Sequence, residues 1–143
     1  MAKIEKSILI NAPVEKVFAF MAKPENLPEI WPSLQEVRNV QPLPNGGYSY
    51  DWSYKMAGLR FDGHATWSEF IENQRIVDEN ESGIPSTFVW VYQPENGGTR
   101  VSLSVNYTIP GAALGKLAEP IVHKMNEQEA ETVLVNLKAR MEG

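Results

Sequence analysis

Between residues 34 and 109 the sequence carries six strand-like stretches, each closed by a turn-forming cluster, and no helical period intervenes. The stretches are residues 34–41, 48–55, 59–71, 75–81, 87–93 and 99–109. The breakers fall at 42–47, 56–58, 72–74, 82–85 and 94–98, where Gly, Pro, Asn and Ser gather. Strands that follow one another at this spacing without crossover helices pair as an antiparallel meander. A seventh strand precedes them, because Ile4, Ile8 and Ile10 share one parity before Asn11-Ala12-Pro13 ends the run.

The helices lie outside the meander. Proline is favoured just inside a helix start, and Val14, Val17, Phe18 and Met21 follow Pro13 at helical spacing. Pro24, Pro28 and Pro32 then confine residues 25–31 to at most a second short helix. After Pro110-Gly111 the pattern predicts a helix of about 30 residues, about 45 Å long at 1.5 Å per residue. Pro120 interrupts it. Leu114 and Leu117 mark one face before that proline, while Val122, Asn126, Ala130, Val133 and Leu137 mark another after it, so the helix kinks or restarts there. The expected fold is α+β, one domain over residues 1–143, with a seven-stranded curved antiparallel sheet around a long C-terminal helix.

Composition removes several function classes. No cysteine is present among the 143 residues, which excludes disulfides, thiolate metal sites and a cysteine nucleophile. The formal charge is −5, with Lys and Arg scattered singly, so no basic footprint for nucleic acid exists. No run approaches 18 apolar residues, and the stretch from Met1 to Lys6 alternates polar with apolar, which gives the expectation of a cytoplasmic protein without stable membrane insertion. No phosphate-binding glycine loop and no G-x-S-x-G elbow occur. His64 and His123 lack a third soft ligand, so neither a metal nor a cofactor is expected.

The order of elements, together with Ile8-Leu9-Ile10-Asn11-Ala12-Pro13-Val14-Glu15-Lys16-Val17-Phe18 and Gly97-Gly98-Thr99-Arg100-Val101, resembles the SRPBCC superfamily. That superfamily takes in START domains, birch-pollen-allergen-like proteins and polyketide cyclase/dehydrase-like proteins. The resemblance spans essentially the whole chain and implies a helix-grip fold around a hydrophobic cavity. By the same resemblance, the segment Pro28-Glu29-Ile30-Trp31-Pro32 looks like the short helix that closes one mouth of that cavity, which makes Trp31 a candidate lining residue.

Side-chain parity names the rest of the candidate wall, since alternate residues of a strand face opposite sides of the sheet. Tyr48, Tyr50, Trp52 and Tyr54 share one face against Ser49, Asp51, Ser53 and Lys55. Phe61 and Trp67 fall on the apolar parity of the next strand. Phe88, Trp90 and Tyr92 share a face, as do Val101, Leu103, Val105 and Tyr107. Several inward tyrosine hydroxyls fit a roomy site better than a dry core, because buried polar tips need partners. A helix that restarts at Pro120 turns His123 and Asn126 toward the sheet, with small Ala130 leaving space beside them. His64 is expected to point outward unless Gly63 forms a bulge. Asp62 and Glu69 read as solvated charges, and the acidic and polar stretch from Asp78 to Ser82 reads as edge or loop surface.

Three functions fit this reading. The first is a binder or carrier of a small hydrophobic or amphipathic molecule, lipid, isoprenoid or polyketide-like. The second, implied by the resemblance, is a cyclase/dehydrase-type enzyme with Tyr54, Tyr107 and His123 as acid/base candidates. The third is a co-chaperone-like interaction module, which requires an exposed apolar patch in place of a cavity. The sequence leaves the ligand and the oligomeric state open.

Overall fold

A computed structural model describes residues 2–143; Met1, the start of the alternating N-terminal stretch, lies outside them. Seven strands form one sheet in the order β1-β7-β6-β5-β4-β3-β2, and every neighbouring pair is antiparallel. They are β1 (Ala2–Ile10), β2 (Leu34–Pro42), β3 (Tyr48–Met56), β4 (Leu59–Ile71), β5 (Arg75–Asn80), β6 (Ser86–Glu95) and β7 (Gly98–Tyr107). The turns explain the ordering. Asn96-Gly97 between β6 and β7, and Ala57-Gly58 between β3 and β4, place both central residues at positive φ, the two-residue turn whose twist matches paired strands.

The sheet curves because it is interrupted at chosen points. The β2–β3 register shifts between Leu34 and Glu36 and again between Arg38 and Gln41, where Asn39 adopts φ 55°, and the β4–β5 register shifts between Trp67 and Glu69. Such bulges bend a strand and sharpen its twist. Gly63 is not one of them: the β3–β4 pairing runs unbroken through Trp52↔Gly63 and Asp51↔His64, so His64 stays on the outer face.

Helix α1 (Val14–Met21) buries Val14, Val17, Phe18 and Met21, and a 3₁₀ segment follows at Pro24–Glu29. The C-terminal region is two helices: α2 (Gly111–Leu114) is a single turn, and α3 (Glu119–Glu142) begins with Pro120 in its first turn, where the missing N–H costs nothing. The restart at Pro120 sets the phase of α3. Val122, Ala130, Val133, Leu134, Leu137 and Met141 face the sheet and are buried, each large side chain contributing about 1.5–3 kcal/mol.

Polar ties hold the helix from its middle to its C-terminus. Lys16 Nζ donates to the Met141 carbonyl at 2.7 Å, the Asn11 N–H to Glu142 Oε2 at 2.7 Å, and Lys138 Nζ to the Leu9 carbonyl at 3.1 Å. Further along, Asn136 Nδ2 donates to the Ile30 carbonyl at 2.9 Å, Arg140 pairs with Glu29, and the Ser33 N–H donates to Glu129 Oε2 at 2.7 Å. These last three fasten the segment carrying Trp31 to α3.

Large and small residues alternate across the concave face. Tyr50 lies opposite Ala65 and Trp52 opposite Gly63, so two rings from β3 lie over two positions on β4 that leave room for them. A Cβ at Gly63 would stand 2.2 Å from the Trp52 ring and 2.7 Å from the Ser82 carbonyl oxygen. Gly63→Ala is therefore expected to displace Trp52 and lower stability by about 1–3 kcal/mol, the usual range for overpacking. Urea unfolding with tryptophan fluorescence checks this; an unchanged midpoint would contradict the packing described.

Candidate functional site

The concave face and α3 enclose a cavity of about 100 Å³. Its wall comes from the parity positions of the strands: Tyr50, Trp52 and Tyr54 of β3, Trp67 of β4, Phe88, Trp90 and Tyr92 of β6, and Leu103, Val105 and Tyr107 of β7. Trp31 closes one side, and Asn126, Glu129 and Ala130 of α3 roof it. Trp31 is the hub of the aromatic contacts, meeting Tyr54, Phe88 and Trp90 edge-on at centroid distances of 6.3, 5.3 and 6.2 Å. Tyr54, Ser86, Phe88, Asn126 and Glu129 remain partly exposed and form the rim.

Two of the expected wall residues stand outside it. Phe61 pairs with Tyr54 near the β3–β4 turn and is partly buried against the core. His123 sits behind Tyr107: its Nδ1 is 2.7 Å from the Tyr107 hydroxyl, which also accepts from Asn126 Nδ2 at 3.1 Å. Histidine thus meets the cavity only through the phenol. Burial raises the Tyr107 pKa, and that of Tyr54 more strongly, so both phenols keep their protons at neutral pH.

The stretch from Asp78 to Ser82 divides by parity and corrects the expectation of a uniform surface. Glu79, Glu81 and Ser82 are exposed, but Asp78 and Asn80 alternate with them onto the concave face, follow Ile76, and are each 7% exposed. Asp78 Oδ2 accepts from the Tyr50 hydroxyl at 2.5 Å and from Trp67 Nε1 at 3.0 Å, while Oδ1 accepts from Asn80 Nδ2 at 2.7 Å. Asn80 Oδ1 in turn accepts from Trp52 Nε1 at 2.7 Å. One carboxylate and one amide therefore meet the polar tips of three wall aromatics. The alternation Ile76, Asp78, Asn80 was the available signal.

Burial dominates the electrostatics of this cluster. Desolvation lifts the Asp78 pKa above its ordinary value against three hydrogen bonds that lower it, and desolvation also lifts Tyr50 well above the usual phenol range, followed by the Asp78 charge. Tyr92 is different: it lines the cavity, and its buried hydroxyl has no hydrogen-bond partner among the described residues.

The outer face holds a separate polar set. Ser53 is 1% exposed despite its outward parity, because Arg38 and Arg60 cover it; its hydroxyl donates to Asp62 Oδ1 at 2.6 Å and accepts from both guanidinium groups at 3.0 Å. His64 Nδ1 lies 2.8 Å from Asp51 Oδ1, and both face solvent. Glu69 pairs with Arg75 at 2.9 Å. Among the described residues, no group of three or more His, Asp or Glu side chains could hold a metal ion, and no helix is long and apolar enough to cross a membrane.

Asp78 makes a pH-dependent test possible. A carboxyl whose folded pKa is raised favours the folded state most at low pH, and that contribution is lost as pH rises from 3.8 through the folded value. Asp78→Asn removes the titration. The stability of the wild type relative to the variant should fall as pH rises above 3.8, by about 1.4 kcal/mol for each unit by which the folded pKa is raised. A difference independent of pH in urea unfolding would contradict the assignment.

The comparisons with known proteins agree with this architecture. A START superfamily protein from Mycobacterium smegmatis superposes with a TM-score of 0.79 at 15% identity, covering 98% of this chain and 97% of that one. The di-domain ARO/CYC StfQ of the steffimycin biosynthetic pathway superposes with a TM-score of 0.78 at 16% identity; 98% of this chain matches 50% of that one, so this chain spans about half of the di-domain. The protein TTHA0849 from Thermus thermophilus superposes with a TM-score of 0.70 at 26% identity over 98% and 97% of the two chains. No curated protein matches the sequence. The family described as "Polyketide cyclase / dehydrase and lipid transport" matches residues 1–142. With that match over nearly its whole length and a seven-stranded sheet gripping a C-terminal helix, the chain belongs to this polyketide cyclase-like family of the SRPBCC superfamily.

Proposed function

We infer that the protein binds a small, largely apolar molecule in the cavity between the concave face and α3. The observation that carries this reading is the hollow itself, walled by buried rings that leave about 100 Å³ unfilled and one buried hydroxyl, that of Tyr92, unpaired. A core built only for stability closes such space, because unfilled volume forfeits packing contacts. Affinity comes from apolar area removed from water, about 25 cal/mol per Å², and the polar tips set orientation.

The size of the hollow limits the occupant. An engineered apolar cavity of about 150 Å³ takes up benzene, whereas sites for drug-sized ligands run to about 300–1,000 Å³. At about 100 Å³ the cavity is smaller than either, so a single-ring molecule enters with a small adjustment of the wall side chains. A longer lipid, isoprenoid or polyketide chain requires Trp31 and the 3₁₀ segment to swing outward, which breaks their ties to Glu129, Asn136 and Arg140. A chain without cysteine suits the reducing cytoplasm, the compartment assigned to this binder.

One observation favours a second reading, turnover of the cyclase/dehydrase type. Tyr107 presents a phenol on the cavity wall, backed by His123 and oriented by Asn126, an arrangement able to donate a proton to the oxygen of a bound carbonyl, the phenolate regaining one from solvent by way of the His123 ring. Tyr107→Phe would then remove the rate while leaving affinity. The interaction-module reading lacks such support, since the aromatic residues it would expose are turned inward.

Binding is tested with fluorobenzene followed by fluorine NMR. The wild type should broaden or shift the probe resonance saturably. Ala130→Leu, which places a larger side chain in the roof, should weaken the interaction at least tenfold without loss of fold. Trp90→Ala should keep binding while losing about 3–5 kcal/mol of stability. Equal probe affinity in the wild type and Ala130→Leu would remove the cavity as the site.

A further inference from the structure

Every charged side chain on the cavity wall is acidic. Asp78 and Glu129 border the hollow, and among the described residues no Lys, Arg or His does. Glu129 spends one oxygen on the Ser33 N–H at the rim. Asp78 is deeper, and its partners are all neutral: Tyr50 from β3, Trp67 from β4 and Asn80 from β5. Its nearest charged neighbour on the strand, Glu79, is acidic too and faces solvent. A buried carboxylate ordinarily finds a cation. Here none is supplied by the protein.

The hydrogen-bond inventory of the cluster is unequal in the same sense. An ionised carboxylate offers about four acceptor positions. Oδ2 of Asp78 uses two and Oδ1 uses one, which leaves one acceptor position on Oδ1 unfilled. The amide of Asn80 already donates to Asp78 Oδ1 and, at 3.5 Å, to the Ser86 carbonyl, while its oxygen is held by Trp52. The Tyr50 hydrogen is committed to Asp78. Tyr92 lines the same cavity, and its buried hydroxyl has no partner among the described residues. The wall therefore offers an open acceptor position on Asp78 inside a mostly apolar shell.

We propose that the cavity selects apolar molecules whose head group donates hydrogen bonds, a hydroxyl or a protonated amine, through Asp78, and rejects molecules with a carboxylate head. This rests on the binding function inferred above and names the chemistry of its ligand. A donor head fills the open position on Asp78 Oδ1, and an ammonium in addition supplies the missing counter-charge. A carboxylate head would enter a low-dielectric space already holding two like charges, where repulsion is screened least. Fatty-acid-like ligands are thus disfavoured, and alcohols, phenols and lipophilic amines are favoured. Discrimination of this kind works by penalising the wrong head group as much as by rewarding the right one.

Four probes of one skeleton test it: ethylbenzene, 2-phenylethanol, 2-phenylethylamine and phenylacetate, titrated into the wild-type protein at pH 7.5 by calorimetry. The alcohol, the amine or both should bind at least tenfold tighter than ethylbenzene, and phenylacetate at least tenfold weaker. The two favoured arms report whether hydrogen bonding or charge dominates. The Trp67 indole N–H resonance, which shares Asp78 Oδ2, should shift with the favoured probes and hold still with ethylbenzene. In Asp78→Asn the spread among the four should collapse to within about threefold; the Trp67 shift, read in the wild type, stands as evidence whether or not that variant folds. Binding of ethylbenzene with phenylacetate equal to it or tighter, or four equal affinities, would overturn the proposal alone. Absence of binding by every probe, ethylbenzene included, would overturn the binding function with it.

Discussion

A wall of tyrosines and tryptophans can be buried only if its polar tips are met. In this protein the tips of Tyr50 and Trp67 converge on Asp78, and that of Trp52 on Asn80. The cluster spans β3, β4 and β5 and holds three rings at fixed angles from the sheet. Left unmet, each buried tip would cost about 1–3 kcal/mol, and the rings would rotate to find water or one another. Pinned, they frame a space without filling it. Ala65 and Gly63 complete the frame by giving Tyr50 and Trp52 somewhere to lie.

The roof obeys a different constraint. Helix α3 is fixed to the body over its C-terminal half by Val133, Leu134, Leu137 and Met141 and by the ties to Leu9, Asn11 and Lys16. Val122 is fully buried near its N-terminus, and between the two it meets the sheet through smaller or polar residues, Asn126, Glu129 and Ala130. The same helix is therefore core toward both ends and cavity between them. The segment carrying Trp31 is tied to α3 at Glu129, Asn136 and Arg140 by polar contacts, weaker than the apolar packing beyond them. Any enlargement of the cavity starts there.

Much of this was legible in the sequence because two periodicities are strict. Parity two along β3, β6 and β7 assigns the wall rings, and the phase reset at Pro120 assigns Asn126 and Ala130 to the roof; it turns His123 toward the sheet as well, but the Tyr107 phenol that stands between His123 and the cavity is a contact the helical phase does not contain. The same parity applied to residues 76, 78 and 80 puts Asp78 and Asn80 inside, but an acidic stretch beside a turn reads as surface until the register of its neighbours is known. That register depends on the bulge between Trp67 and Glu69, and nothing local in the sequence marks it. Ser53 escaped for a related reason: its outward parity is right, and its burial comes from Arg38 and Arg60 on neighbouring strands folding over it. Partners across strands are set by pairing, which single-strand patterns do not contain.

The account stands on a permanent hollow bounded by pinned aromatic rings. Diffraction from crystals held under xenon pressure tests it directly, since xenon enters apolar cavities that protein side chains leave empty. A xenon site among Trp31, Trp90, Leu103 and Ala130 is the expected result. Crystals that take up no xenon there, with those four side chains packed against one another, would contradict it.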